Sequence, residues 1–315
     1  MLKKLIGNIP NEKGLIGEFR FHQGWWRTFV LNEPEGKYTD ANGKSATVCN
    51  RINNGQNTLK NFITPEIGEI AKQAVENHKN TPKGIISEDR LYDNLLSSQP
   101  LAFNFFGFLK SNPELALAFI KTIRPEITEI EKIVFEFAPD STPDHSAFDF
   151  GFIVKSNVGR GFLGFECKYT DTFSYKRAKS KVNYGDEGDI RYKDYHPIYL
   201  ANRERLPDDY FSYVRDKRFN QLFRNELLAL QLRDFDFIIT GLFCHHDDED
   251  ALIAGREFQK KIGNRENDYL IITYADYFEH MQKLNLSWEQ RELIMMLWAR
   301  YCGLQLSSWV CVCIE

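Results

Sequence analysis

Three side chains in the middle of the chain have the types and spacing to do chemistry at a phosphate. Glu166 and Lys168 stand one residue apart in the apolar run Phe162–Tyr169 (FLGFECKY), and Asp149 lies 17 residues before Glu166. Side chains of a strand alternate between its faces, so Glu166 and Lys168 share one face while Phe165, Cys167 and Tyr169 take the other. Opposite charges in so apolar a run are expensive to bury without partners, and their presence needs a reason. Two carboxylates and a backbone carbonyl, here that of Cys167, make an oxygen site of the kind that suits magnesium. A neighbouring lysine can then orient an attacking water and stabilise charge developing at a phosphate. The plainer alternative is a solvated Glu-x-Lys ion pair on an edge strand, which is worth little.

The elements that must position these residues can be read around them. Phe148–Lys155 and Phe162–Tyr169 read as strands of a hairpin turned at Asn157–Gly161, with Lys132–Ala138 as the strand before them. A helix is expected to start at Ser87, with Glu88 and Asp89 favouring its N-terminus, and another at Pro113, ending before Pro125. Asp171–Asp209 is polar with no clear period. Beyond it come a helix at about Tyr213–Leu232, a strand at Phe235–Cys244, a helix at about Asp248–Ile262 and a strand at Tyr269–Tyr274. A last helix starts at Ser287, which has Gln290 at capping-box spacing. The order is αβββαβ followed by further α and β, a mixed α/β class with one central sheet. Residues 1–86 differ: turn-rich stretches surround an aromatic cluster (Phe19, Phe21, Trp25, Trp26, Phe29), and a helix near Pro65–His78 precedes a linker at Asn77–Gly84. The expected division is an N-terminal mixed subdomain over 1–86 and a core domain over 87–315 with a C-terminal helical extension.

Composition narrows the function classes. The chain has 315 residues, 25 of them Phe and 14 Tyr, enough apolar area for a large core and against disorder. A net charge of −4 argues against a DNA-packaging protein but leaves room for a local basic groove. Such a groove is expected from Lys176, Arg177, Lys179 and Lys181 after the third strand and from Arg215, Lys217, Arg218 and Arg224 on the next helix. Tyr169, Phe173, Tyr175 and Tyr184 could pack against sugars or bases. The six cysteines form no C-x-x-C pair, which argues against structural zinc and fits a reducing cytoplasm. No run approaches the ~20 apolar residues of a membrane span. There is no Gly-rich phosphate loop and no G-x-S-x-G elbow. The run Cys244–Asp248 (CHHDD) has no spaced metal-binding partner and reads as a polar loop, and His145 as a surface residue.

On these residues the chain resembles the PD-(D/E)XK nuclease superfamily, the restriction-endonuclease-like fold. Asp149 matches the Asp that opens the second core strand, and Glu166-Cys167-Lys168 matches (D/E)-x-K on the third. Ala147 and Phe148 precede Asp149, so the motif's Pro is missing. The stretches Ser87–Gly107, Ala147–Phe152, Gly161–Tyr169 and Gln221–Ala229 look like a bacterial group of these proteins. The resemblance covers about residues 15–245. It implies a restriction-endonuclease-like αβββαβ core with a central mixed sheet flanked by helices. It also implies a Mg2+-dependent endonuclease acting on DNA, with Mn2+ as a substitute. Asp149, Glu166 and the Cys167 carbonyl would hold the metal, and Lys168 would orient or activate the water. Glu88 matches a further acid that the superfamily often takes from the helix before the sheet, although it also reads as a plain helix-start carboxylate. Glu136, in the first strand, is either a metal-side residue or a surface charge. Gln221 matches a glutamine that borders the site in many relatives. Arg224 and Asn225 fall on the same polar helix side as expected substrate contacts, with Asn225 where some branches have Tyr. The alternative function is a catalytically silent nucleic-acid-binding module of the same fold. A cytoplasmic protein without membrane contact is expected, with a homodimer as the form to test.

Overall fold

The structure is a computed structural model and describes residues 5–39, 42–80, 84–139, 146–170, 190–209, 218–262 and 268–312. In chain order these form α1 (Leu15–Phe29), β1 (Gly36–Thr39), β2 (Ser45–Val48), α2 (Pro65–Asn80), α3 (Ser98–Lys110) and α4 (Pro113–Ile123). Then come β3 (Ile127–Phe137), β4 (Phe148–Ser156), β5 (Gly159–Lys168), α5 (Ile190–Ala201), α6 (Asn220–Ala229) and β6 (Phe237–Cys244). The chain continues with α7 (Glu249–Lys261), β7 (Tyr269–Thr273), α8 (Tyr274–Gln282), α9 (Trp288–Tyr301) and α10 (Leu304–Val312). Two compact units divide these elements. The first takes in Met1–Val75, Ile86–Phe108 and Tyr277–Glu315, and the second Glu76–Ile85 and Leu109–Asp276. No helix among the described residues is long and apolar enough to cross a membrane.

The second unit carries the expected αβββαβ order as α4, β3, β4, β5, α6 and β6, with α5 inserted before α6. Five strands form one mixed sheet in the order β3-β4-β5-β6-β7. The first three run antiparallel, and a tight turn joins β4 to β5, where Ser156 pairs with Gly159, whose φ of 127° favours glycine. β6 and β7 lie parallel to β5, which demands crossovers, supplied by the segment containing α5 and α6 and then by α7. β5 is therefore the central strand, buried from Gly161 to Lys168. On one face Phe150 stacks on Phe165 at 4.9 Å between centroids, with Phe243 edge-on at 6.1 Å. On the other, Phe162, Leu242 and Cys244 pack with Phe223 and Leu227 of α6 and Ala254 and Phe258 of α7.

Some elements depart from expectation for physical reasons. β3 starts at Ile127 rather than Lys132. Its first half is charged and solvated, and Glu129 and Glu131 pair across the sheet with Lys155 and Arg160. The stretch expected to lack a period contains α5, anchored by the buried Tyr195 and Tyr199 despite Pro197 inside the helix.

In the first unit, Ser87 opens only a short π-helical turn, Asp89–Asp93, and a regular helix starts at Ser98. Asn94 breaks the run: it is extended, bridges to Arg51, and accepts from Asn50 Nδ2 at 2.8 Å. The core of this unit is partly polar. Arg300, fully buried, donates to Asn61 O (2.8 Å) and Asn61 Oδ1 (2.6 Å), and Asn104 donates to Asn61 O and Tyr301 Oη. His22, also fully buried, bonds Ala299 O at 2.9 Å and Ser307 Oγ at 3.0 Å. Such networks tie α1, α3, α9 and α10 together only because their members satisfy one another. Ser287 and Gln290 form the capping box at the start of α9.

Candidate active site

The central strand delivers Glu166 and Lys168 into an interior where they are 3% and 5% exposed. Lys168 Nζ donates to Glu166 Oε1 at 2.7 Å and to Gln221 Oε1 at 2.6 Å. Gln221 Nε2 donates back to the same Glu166 oxygen, which closes a triangle of the three side chains. Asn225 Nδ2 holds the other oxygen, Oε2, at 2.8 Å. Gln221 and Asn225 meet one carboxylate because residues four apart share a helix face. Leu222, Phe223 and Leu227 fix that face by packing on the core. A buried ion pair is tolerable only when its remaining lone pairs and protons are satisfied, and α6 does this for Glu166.

Asp149 joins them from the adjacent strand. Phe150 pairs with Phe165, so the segments carrying Asp149 and Glu166 run side by side, and Cys167 N–H donates to Asp149 Oδ2 at 2.5 Å. The side-chain alternation breaks here. Phe148 and Ile153 belong to one core cluster although an odd number of positions separates them, and so do Val134 and Phe137 in β3. Between the latter two, Glu136 has a left-handed φ of 48°, which a bulky residue in a strand rarely adopts. Irregularities of this kind re-aim side chains next to sites. Glu136 comes to lie beside Gly84 and Ala147: a Cβ on Gly84 would stand 2.9 Å from Glu136 Oε2. Burial, then Glu166, then Glu136 push the Asp149 carboxyl well above the usual carboxylate range, against Lys168 and the Cys167 N–H, which pull it down. Asp149 keeps some accessible surface, but the protein around it and the like charges dominate.

The remaining candidates have partners of their own. Arg224 is half-buried and donates to Ser146 Oγ at 2.7 Å, just before β4. Arg218, expected on the polar helix side, is buried over the Phe219 ring at 4.6 Å and reaches Glu257 at 3.5 Å. Tyr169, expected near sugars or bases, is fully buried, 6.5 Å from Tyr274 between ring centroids. The Cys167 thiol is fully buried and its pKa pushed well up, first by burial, so its sulfur stays a neutral core group. Glu88 belongs to the first unit, where its Oε2 accepts from Gln56 Nε2 at 3.1 Å. His145, Phe173, Tyr175, Lys176, Arg177, Lys179, Lys181, Tyr184, Arg215 and Lys217 lie outside the described residues. One participant was not singled out from sequence. Tyr274 Oη donates to the Lys168 carbonyl at 2.6 Å, a contact across 106 residues that no local pattern announces.

No curated protein and no solved structure matches the chain. One family does, described as the PD-(D/E)XK nuclease superfamily, and its model spans residues 10–303. With that span covering nearly the whole chain, and with an αβββαβ core that sets Asp149, Glu166 and Lys168 side by side, the protein belongs to the PD-(D/E)XK nuclease superfamily.

Proposed function

We propose that this chain is a divalent-metal-dependent endonuclease that hydrolyses phosphodiester bonds of DNA at Asp149, Glu166 and Lys168. The observation that carries the reading is the clamp on Lys168, whose ammonium is held by Glu166 and Gln221 in a nearly dry interior. The donor set fits a hard cation. Asp149 uses one oxygen on Cys167 N–H and leaves the other without a hydrogen bond among the described residues. Glu166 Oε2 has a lone-pair direction left beside its bond from Asn225. Glu136 adds a third negative group close enough to raise Asp149. The Cys167 carbonyl leaves the strand on the same edge as its N–H, toward Asp149. Mutual repulsion of such carboxylates is what a divalent ion relieves.

A bound magnesium or manganese ion would supply Lewis-acid stabilisation and a more acidic water. The chain's own groups do the rest. Lys168 presents a fixed positive charge to a phosphate oxygen or to the attacking water. Gln221 holds Lys168 and borders the substrate. Asn225 fixes Glu166, and Arg224 offers a guanidinium that can grip a phosphate in bidentate fashion. One water adds across one P–O bond, giving a phosphate monoester and an alcohol. A two-fold dimer would bring two such sites to the two strands of a duplex.

The test is incubation of the purified chain with supercoiled plasmid, single-stranded DNA and RNA in Mg2+ or Mn2+, with a chelator control. Metal-dependent nicking of plasmid that disappears in Lys168→Ala is the expected result. The same assay on Glu88→Gln tests whether that residue takes part. Nucleic-acid binding without cleavage in either metal would replace the nuclease with the binding module.

A further inference from the structure

β1 and β2 pair with each other as an antiparallel ribbon of the first unit, in a sheet of their own. A two-stranded hairpin is marginal in water unless a face of it packs on something. Yet Lys37–Thr39 and Ser45–Thr47 are exposed at every position, on both faces. The fold holds the ribbon by its edges instead. Asn53 Oδ1 accepts from Lys37 N–H at 3.2 Å, Arg51 Nε donates to the Lys37 carbonyl at 3.0 Å, and Asn8 Nδ2 donates to the Thr47 carbonyl at 2.9 Å. Those are the backbone groups a further strand would use. The ribbon is therefore built to present its faces and not to recruit another strand.

The outward-pointing backbone groups of Lys37 and Thr47 mark that pair as non-hydrogen-bonded, and by alternation Thr39 and Ser45 form the next such pair. Side chains of these pairs stand closest and share one face, with the Thr39 and Ser45 hydroxyls 2.7 Å apart. That face is one ammonium and three hydroxyls, with no apolar or acidic side chain. Lys37 forms no ion pair among the described residues. The opposite face carries Tyr38, braced by the Arg51 guanidinium 5.4 Å from its ring centroid. In sequence, 36–48 holds Lys37 and Lys44 against Asp40, a positive balance in a chain of net charge −4. A protein partner would be met by a face with apolar and aromatic side chains at its centre. Ammonium and hydroxyl groups are instead what reads base edges and phosphates. The major groove, about 12 Å wide, admits a two-stranded ribbon. The two side-chain pairs lie about 7 Å apart along the strands, which matches two base-pair steps of about 3.4 Å.

We propose that the β1–β2 ribbon is a DNA-reading element that lays its Lys37, Thr39, Ser45 and Thr47 face in the major groove of duplex DNA. The substrate class rests on the nuclease reading above, so binding and cleavage are measured separately. Lys37→Gln removes the charge. Thr39→Val together with Thr47→Val removes two hydroxyls and keeps the branched shape that strands favour. Binding of a labelled duplex of mixed sequence is followed by fluorescence anisotropy in Ca2+, beside the same duplex built with 7-deazapurines, which lack the N7 acceptor of the major groove. Wild type is expected to bind the ordinary duplex about tenfold more tightly than the 7-deaza duplex, within the discrimination that base-edge contacts give. Lys37→Gln and the double valine variant are each expected to lose roughly tenfold on the ordinary duplex and to bind the two duplexes nearly alike, with melting temperatures as in wild type. Variants that bind like wild type, or a wild type indifferent to N7, overturn the proposal, and so does a wild type that binds no duplex. Plasmid nicking in Mg2+ decides the nuclease reading by itself. Nicking by a protein whose binding ignores the ribbon keeps the nuclease and removes the ribbon, and ribbon-dependent binding without nicking does the reverse.

Discussion

Asn225 donates to the one Glu166 oxygen that neither Lys168 nor Gln221 touches, so each oxygen of that carboxylate is held by α6. With Asn225 replaced by Ala, Oε2 loses its fixed direction while the charge remains. Divalent-metal affinity is expected to fall about 10–100-fold, the usual effect of losing a group that orients a ligand. Calorimetric titration with Mn2+ measures this, and an unchanged affinity would reduce Asn225 to a packing residue.

Lys168→Ala should lower cleavage by about 10²–10³-fold, the loss associated with one electrostatic contact made in the transition state. It should also leave Glu166 buried without its counter-charge, which destabilises by about 3–5 kcal/mol. Added Mg2+ should restore much of that stability without restoring cleavage. Melting curves with and without the ion separate the two effects, and a metal-insensitive loss of stability would speak against Glu166 as a ligand.

The parts of the site legible in the sequence were those that obey a local period. Glu166 and Lys168 stand out as two charges in an apolar run, and hairpin geometry then brings Asp149 alongside. The αβββαβ order could be read because its strands are apolar and its turns carry Asn and Gly. Other features depend on where the chain breaks its own rules. Glu136 takes a left-handed conformation inside β3, and the alternation of β3 and β4 is lost beside it. Nothing in the triplet Phe135-Glu136-Phe137 signals this, because the strain is stabilised by neighbours distant in sequence. The π-helical turn after Ser87 answers to Arg51 and Asn50, partners that lie about forty residues earlier.

Asp149 carries a testable cost. Its folded-state pKa is raised, so its contribution to stability is full below the ordinary carboxylate value of about 3.9 and is lost as pH rises through the raised value. Asp149→Asn removes the charge and keeps an oxygen for Cys167 N–H. This substitution should melt at a higher temperature than wild type at pH 7.5, with the gap closing toward pH 4, and should cut nothing. Mg2+ should stabilise wild type by mass action, about 2.7 kcal/mol at a hundred times Kd, and should leave Asp149→Asn unmoved. Equal melting temperatures at pH 7.5 would count against a buried, repelled carboxylate.

His22 sets the acid limit of the first unit. Burial, opposed by its backbone bonds and helped by Arg300, lowers its pKa to about 4. Between the ordinary value of about 6.5 and that lowered value the unfolded chain binds a proton that the folded chain refuses. Stability is therefore full above about pH 6.5 and declines as pH falls toward 4, by on the order of 3 kcal/mol. Urea melts followed by tryptophan fluorescence report on this unit through Trp25 and Trp26 of α1. His22→Gln should flatten the acid slope, and an unchanged slope would assign it to other groups.

Arg224 tests how the nucleic acid is held. Its guanidinium bonds Ser146 just before β4, one helical turn from Gln221 and on the side of α6 that reaches Glu166. A phosphate arriving there could exchange the Ser146 hydroxyl for a bidentate, charge-assisted pair of bonds. Each phosphate neutralised contributes about 0.9 to the slope of log affinity against log salt on duplex DNA. Arg224→Ala should weaken DNA binding at every sequence alike and reduce that slope by about one. Arg224→Lys should recover most of the slope, because the charge returns, but only part of the affinity, because the fork geometry does not. Fluorescence anisotropy with a labelled duplex, in Ca2+ to suppress cleavage and across a salt series, measures both quantities. A slope unchanged in Arg224→Ala would place the phosphate contacts on other residues and leave Arg224 as a brace for the start of β4.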